Sequence, residues 1–191
     1  MAHIVLFHSA LGLRPAVHRF ADALRAAGHQ VTTPDLFDGA VFDRLDDGVA
    51  KRDELGIDEL SRRAQAAVEG LPGDLIYAGF SLGAASAQLL AMTRPGARGA
   101  VLMHAALPAH FFGQTSWPDA VPAQLHFAED DPWVDAAVVD ALASPALEVF
   151  RYAGNAHLFA DDDSDDYVEP HAQDMLDRVL AFVAQQTRAA A

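Results

Sequence analysis

The chain has 191 residues and no cysteine, which excludes disulfide scaffolds, thiolate metal centres and thiol nucleophiles. Hydrophobic residues make up 51% and charged residues 21%, the balance of a globular chain, and the length suits one domain spanning 1–191. With 13 Lys+Arg against 27 Asp+Glu the formal charge is −14, so phosphate backbones and anionic lipid surfaces would repel it; neither nucleic acid nor a membrane is an expected partner.

Met1-Ala2-His3 carries no basic cluster, and the run Ile4-Val5-Leu6-Phe7 is too short for a signal-peptide core. No stretch approaches the ~20 apolar residues of a membrane span. A soluble, cytoplasmic protein is the expectation.

Short apolar runs predict strands over 3–8, 30–33, 74–78, 99–104, 124–128 and 147–152. Most are continuously apolar rather than alternating, as in a parallel sheet covered on both faces. Helical patterns run between them. The first, 15–27, opens with Pro15, stops at Gly28 and places Val17, Phe20, Ala21, Leu24 and Ala27 on one face. A second, 58–71, starts at Asp58 as a cap and stops before Pro72-Gly73. Further helices are predicted over 82–92, 135–143 and 169–186, leaving 37–56, 105–122 and 154–169 as the least regular segments. This alternation predicts a three-layer α/β/α sandwich with a mostly parallel sheet. In such a sheet the loops at the carboxyl ends of the strands build the site.

The sharpest local signal is Gly79-Phe80-Ser81-Leu82-Gly83, a G-x-S-x-G between a predicted strand and a predicted helix. Composition alone would produce about 0.03 such matches by chance. A strand that reverses sharply into a helix leaves no room for side chains at Gly79 and Gly83. The turn holds the serine exposed, with the helix N-terminus favouring negative charge beside it. The plain alternative is a glycine-rich turn with an idle serine.

A serine nucleophile needs a base, and in this architecture the order is Ser, acid, His. Of the late histidines, His171 falls at the start of a helical pattern and reads as a surface residue. His157 follows the strand 147–152 in a loop that can reach Ser81. The acid belongs past the strand 124–128, where Glu129, Asp130 and Asp131 are all available. His8 and His104 end strands and could approach the cleft; His3, His18, His29, His110 and His126 read as surface or core residues.

Several segments together carry a resemblance. They are the strand and turn 4–12, Pro34-Asp35-Leu36-Phe37, the elbow, Phe111-Phe112-Gly113, the block Ala128-Glu129-Asp130-Asp131-Pro132-Trp133-Val134, and Gly154-Asn155-Ala156-His157-Leu158-Phe159. Over about residues 3–182 the chain resembles the dienelactone hydrolase branch of the α/β-hydrolases. The resemblance implies a hydrolase in which Ser81 is the nucleophile, His157 the base and Asp131 the orienting acid. It also implies an oxyanion hole formed by the backbone N–H groups of Ala10 and Leu82. The chain departs from the family's best-known members at three places. They carry a cysteine where Ser81 stands, a glutamate where Ser9 stands, and a substrate-binding arginine where Asp161 stands. The resemblance therefore favours a neutral substrate over an anionic dienelactone.

The acidic run 161–169 reads as a solvated surface loop, since it lacks the alternating ligands and central glycine of an EF-hand loop. If it bordered the site it would disfavour anionic substrates and favour a charged His157. Ser9, Phe111, Phe112, Trp117 and Trp133 are candidates for the substrate pocket, all in loops. The length leaves no space for a large cap domain, so a fairly open cleft is expected. No spacing calls for a metal, and no cofactor is implied. The expected function is a serine hydrolase acting on a small ester, thioester or lactone, as a monomer or homodimer. An acyltransferase or perhydrolase on the same residues, or a non-catalytic binding scaffold, are the rival readings.

Overall fold

The computed structural model describes residues 1–188. Six strands form one sheet: β1 (His3–Phe7), β2 (Gln30–Thr32), β3 (Ile76–Phe80), β4 (Gly99–Met103), β5 (Ala123–Ala128) and β6 (Leu147–Tyr152). They lie in the order β2-β1-β3-β4-β5-β6, and every pairing is parallel. All six predicted strands are present, the third displaced by two residues so that Gly79 and Phe80 belong to it. The helices are α1 (Pro15–Ala26), α2 (Leu45–Leu55), α3 (Ile57–Ala66), α4 (Leu82–Thr93), α5 (Ala136–Ala141) and α6 (Glu169–Arg188).

The strand residues divide by the period of two between the faces of the sheet. Ile4, Leu6, Ile76, Ala78, Val101 and Met103 pack on one face against Val17, Phe20, Ala21 and Leu24 of α1 and Met175, Val179, Phe182 and Val183 of α6. Val5, Phe7, Tyr77, Ala100, Leu102, Leu125 and Phe127 pack on the other against α3, α4 and Val139 of α5. Both faces are dry at the inner strands, which is why those read as largely unbroken apolar runs, whereas the edge strands β2 and β6 keep exposed residues such as Gln30, Glu148 and Arg151. The four α6 residues follow a helical stripe, and burying them contributes up to roughly 6–12 kcal/mol before entropy is counted.

The chain departs from the sequence reading at three helices. Gly56, not Asp58, precedes α3, and Asp58 sits in its first turn, where its charge complements the helix N-terminus. Asp135 caps α5, accepting from the Ala137 N–H at 2.8 Å. The segment 37–56, expected to be irregular, contains α2. Its outward face is charged, while Leu45, Gly48, Val49 and Arg52 share the inward face at the spacing i, i+3, i+4, i+7.

From β1 the chain runs outward to β2 and then returns to the other side of β1 as β3. The loops after β1 and β3 therefore diverge and leave a crevice at the carboxyl edge, where open α/β sheets bind ligands.

Candidate active site

Ser81 stands at that crevice, between β3 and α4. Its backbone has φ 49° and ψ −108°, a strained conformation for a residue with a side chain. Its N–H donates to the Met103 carbonyl at 2.7 Å, which holds the turn against β4. The two glycines are required by close approach. A Cβ on Gly79 would lie 2.1 Å from the Gly83 carbonyl oxygen, and one on Gly83 would lie 2.4 Å from that of Phe7. Ala84, Ala87 and Ala91 of α4 are buried and let the helix lie close on the sheet.

His157 and Asp131 come from loops beyond β6 and β5. The Asp130 N–H donates to the Gly154 carbonyl at 2.9 Å and that of Glu129 to Tyr152 at 2.7 Å, so the two loops run together. Glu129 and Asp130 face solvent, whereas Asp131 turns inward and is 5% exposed. One Asp131 carboxylate oxygen accepts from the Trp133 N–H at 2.9 Å; the other lies 2.7 Å from His157 Nδ1. Facing a carboxylate, Nδ1 carries the proton. Nε2 then presents its lone pair to the Ser81 hydroxyl, 2.8 Å away. Ser81, His157 and Asp131 form one hydrogen-bonded line with His157 only 4% exposed.

A cleft of about 180 Å³ opens over Ser81. Ala10, Leu82, Ala85, Leu107, Trp133 and His157 border it, together with Leu45, Val49 and Arg52 from α2 and Ile57 at the start of α3. Of the five expected pocket residues only Trp133 lies there, its ring centroid 5.6 Å from that of His157. Trp117 is buried in the core, its indole N–H donating to the Val121 carbonyl at 2.6 Å, because so large an apolar side chain is better placed under a loop than at its surface. Phe112 packs beside that core, and Phe111 is 62% exposed and away from the cleft. Ser9 is buried in the turn after β1, its hydroxyl accepting from the Leu11 N–H at 3.1 Å. The cleft is also less open than expected, since α2 covers one side. Sequence reasoning missed Leu45, Val49 and Arg52; the i, i+4, i+7 spacing of those three was the available signal.

The acidic run is not simply solvated. Asp161 is 5% exposed and does not border the cleft. Asp163 accepts from the Ala16 N–H at 2.8 Å, and Arg19 bonds both Asp162 and Asp163 at 2.6 Å. The three carboxylates offer oxygens within 4.8 Å of one another, but Arg19 already supplies the positive charge a cation would bring. The charged side chain at the cleft is instead Arg52, paired with Asp53 at 2.7 Å.

Three other histidines are buried near the site. The Leu36 N–H donates to His8 Nε2 at 2.9 Å, so Nδ1 donates to the Ser9 carbonyl at 2.7 Å. His126 lies between Tyr152 and Gln124. His104, at φ 68°, stacks on Phe80 and stands edge-on to Phe159 with centroids 4.5 Å apart. Neither of its ring nitrogens has a hydrogen-bond partner among the described residues. Burial holds His8 below, His104 well below, and His126 at about 3 against an ordinary 6.5. His171, expected at the surface, packs against Tyr152 and Phe159.

The sequence model of the dienelactone hydrolase family matches residues 1–187. Among the curated proteins none matches the chain. Solved structures share the fold at low identity. A dienelactone hydrolase-like promiscuous phosphotriesterase from metagenomic libraries superposes with TM-score 0.79 at 20% identity, covering 97% of this chain and 87% of that one. A cold-adapted esterase from an Arctic intertidal metagenomic library gives 0.70 at 15%, covering 97% and 82%. A metagenome-derived lipolytic enzyme gives 0.67 at 16%, covering 96% and 94%. Among the described residues no helix is long and apolar enough to cross a membrane.

Proposed function

The chain belongs to the dienelactone hydrolase family, and from that premise we propose that it is a serine esterase cleaving a small ester, thioester or lactone. The observation that carries the reading is the unbroken line from the Ser81 hydroxyl through both nitrogens of His157 to the buried carboxylate of Asp131.

In the proposed reaction His157 Nε2 takes the Ser81 proton as Oγ attacks the substrate carbonyl. The carbonyl π pair moves onto oxygen, which the N–H groups of Ala10 and Leu82 receive; such donors are each worth about 3–4 kcal/mol in related hydrolases. The α4 N-terminus adds a favourable field. Asp131 stabilises the imidazolium without taking its proton. His157 then returns the proton to the leaving oxygen or sulfur, the bond to it breaks, and an acyl group remains on Ser81. Water, deprotonated by His157, releases the acid by the same two steps.

The test is turnover of p-nitrophenyl acetate by the native chain and by Ser81→Ala, with labelling of Ser81 by a fluorophosphonate. Turnover and labelling that vanish in Ser81→Ala are expected. A native chain no faster than the alanine variant would end this reading.

A further inference from the structure

The inward face of α2 meets the site at two points. A Cβ built on Gly48 would lie 2.0 Å from the Ala10 carbonyl oxygen, so this helix rests directly on the loop after β1. Beside it Val49, and a turn to either side Leu45 and Arg52, face the cleft above Ser81. The helix packs on the core through Leu55 at its end. Its outward face carries Asp46, Asp47, Asp53 and Glu54, whereas Leu45 and Val49 are turned to the cleft.

The cleft walls differ in chemistry. Trp133 lies beside His157, half exposed. The other walls are mainly aliphatic: Leu45, Val49, Ile57, Leu107 and the small side chains of Ala85, Ala105 and Ala106, with Arg52 the one charged side chain among them, paired with Asp53. In the reaction proposed above the leaving atom must face His157 Nε2 to receive its proton. That assigns the leaving group to the Trp133 side, open to solvent. The acyl chain then extends into the aliphatic walls under α2. A cleft of about 180 Å³ is small beside ordinary ligand pockets of roughly 300–1,000 Å³.

We propose that α2 is the specificity element of this enzyme: Leu45 and Val49 set the length of the acyl chain and restrict it to short aliphatic acyl groups, while Trp133 meets the alcohol or thiol portion. The proposal rests on the serine-esterase reading and adds the substrate class to it.

The experiment measures kcat/KM for p-nitrophenyl acetate, butyrate, hexanoate and octanoate, with Ser81→Ala as background. The native chain is expected to favour acetate and butyrate and to lose at least about tenfold by octanoate, the discrimination a filled apolar pocket provides. Val49→Ala should raise the octanoate-to-acetate ratio about tenfold, and Val49→Phe should confine turnover to acetate. Trp133→Ala should alter preference among alcohol portions at fixed acyl chain and leave the acyl profile where it was. Val49 is only partly buried, so these variants test the cleft without emptying the core. Parallel acyl profiles for the native chain and Val49→Ala would overturn the proposal and leave the serine-esterase reading intact. An acyl optimum that moves with Trp133 would do the same. Absence of any Ser81-dependent turnover would overturn both.

Discussion

Arg14 and Asp163, 149 positions apart, hold each other's loops: the guanidinium of Arg14 donates to the Asp163 carbonyl, and the Asp163 carboxylate accepts from the Ala16 N–H. Arg14, 7% exposed, also donates to the Phe42 carbonyl at 3.3 Å on the approach to α2. One buried side chain thus links the loop after β1, the entry to α2 and the loop that carries His157.

The Asp163 link should be visible in stability. Burial alone would raise the Asp163 pKa, but hydrogen bonds from Arg19 and Ala16 outweigh it and hold the group below the usual carboxylate value. A folded-state pKa below the unfolded one gives stability that is present above the unfolded value and lost as pH falls through the folded one. Asp163→Asn is expected to cost about 1 kcal/mol at pH 7, the usual worth of a carboxylate at a helix N-terminus, and to flatten the acid side of the stability curve. Urea midpoints at pH 7 and pH 3 measure both.

The buried histidines set a second pH dependence, in a higher window. His8, His104 and His126 stay neutral in the fold because burial disfavours their charged forms. Below pH 6.5 the unfolded chain takes up protons that the folded chain refuses, so stability falls as pH drops. Each group contributes up to about 1.4 kcal/mol per pH unit, and for His126 the loss continues towards about 3. Asp161 opposes this slightly, since burial raises its pKa. His104→Phe is expected to lower the slope by one proton and to raise the melting temperature at pH 5, because it removes two unpartnered ring nitrogens and keeps the ring. A slope unchanged in His104→Phe would contradict the assignment.

Gly83 tolerates no methyl. The built Cβ meets the carbonyls of Phe7 and His8 at 2.4 and 2.6 Å, both backbone atoms of β1 and its exit. Gly83→Ala must displace α4 from β1, at a cost of roughly 3 kcal/mol or more, which lowers the melting temperature by about 6–12 °C in a chain of this length. Calorimetry of the variant checks this; turnover should fall with it, since Ser81 rides on the same turn.

Asp131→Asn separates orientation from folding. An amide can still accept from the Trp133 N–H, so the loop should keep its shape, but its NH₂ would favour the wrong tautomer of His157. Under the proposed mechanism kcat should fall about 10⁴-fold, with KM and melting temperature near native. Steady-state kinetics on p-nitrophenyl acetate, together with thermal melts, distinguish this from simple unfolding.

The sheet was legible because its inner strands are dry on both faces, and the elbow because Gly79, Ser81 and Gly83 each answer a geometric demand. Among Glu129, Asp130 and Asp131 the local chemistry is identical. Only the turn in which the Asp131 N–H returns to the Ala128 carbonyl at 3.1 Å decides which carboxyl faces inward. The helix α2 escaped notice for a physical reason. Gly48 interrupts its apolar stripe, and Leu45 and Val49 face a cleft while only Leu55 reaches the core, so the stripe is too thin to read. The aromatics 111, 112 and 117 misled because a loop's sequence carries no periodicity to say which way a side chain points. Asp161 to Asp163 read as solvent-facing charge because their partners, Arg14, Ala16 and Arg19, lie some 145 residues upstream, beyond any local pattern.

Ser81 and His157 are 76 positions apart, and every strand from β4 to β6 is laid down between them. During translation the serine leaves the ribosome long before the imidazole that would activate it. A chain interrupted ahead of β6 has its serine without its base, so under the proposed mechanism hydrolysis begins only when the last edge strand has docked. Onset of turnover in a synthesis time course would then serve as a clock for completion of the fold.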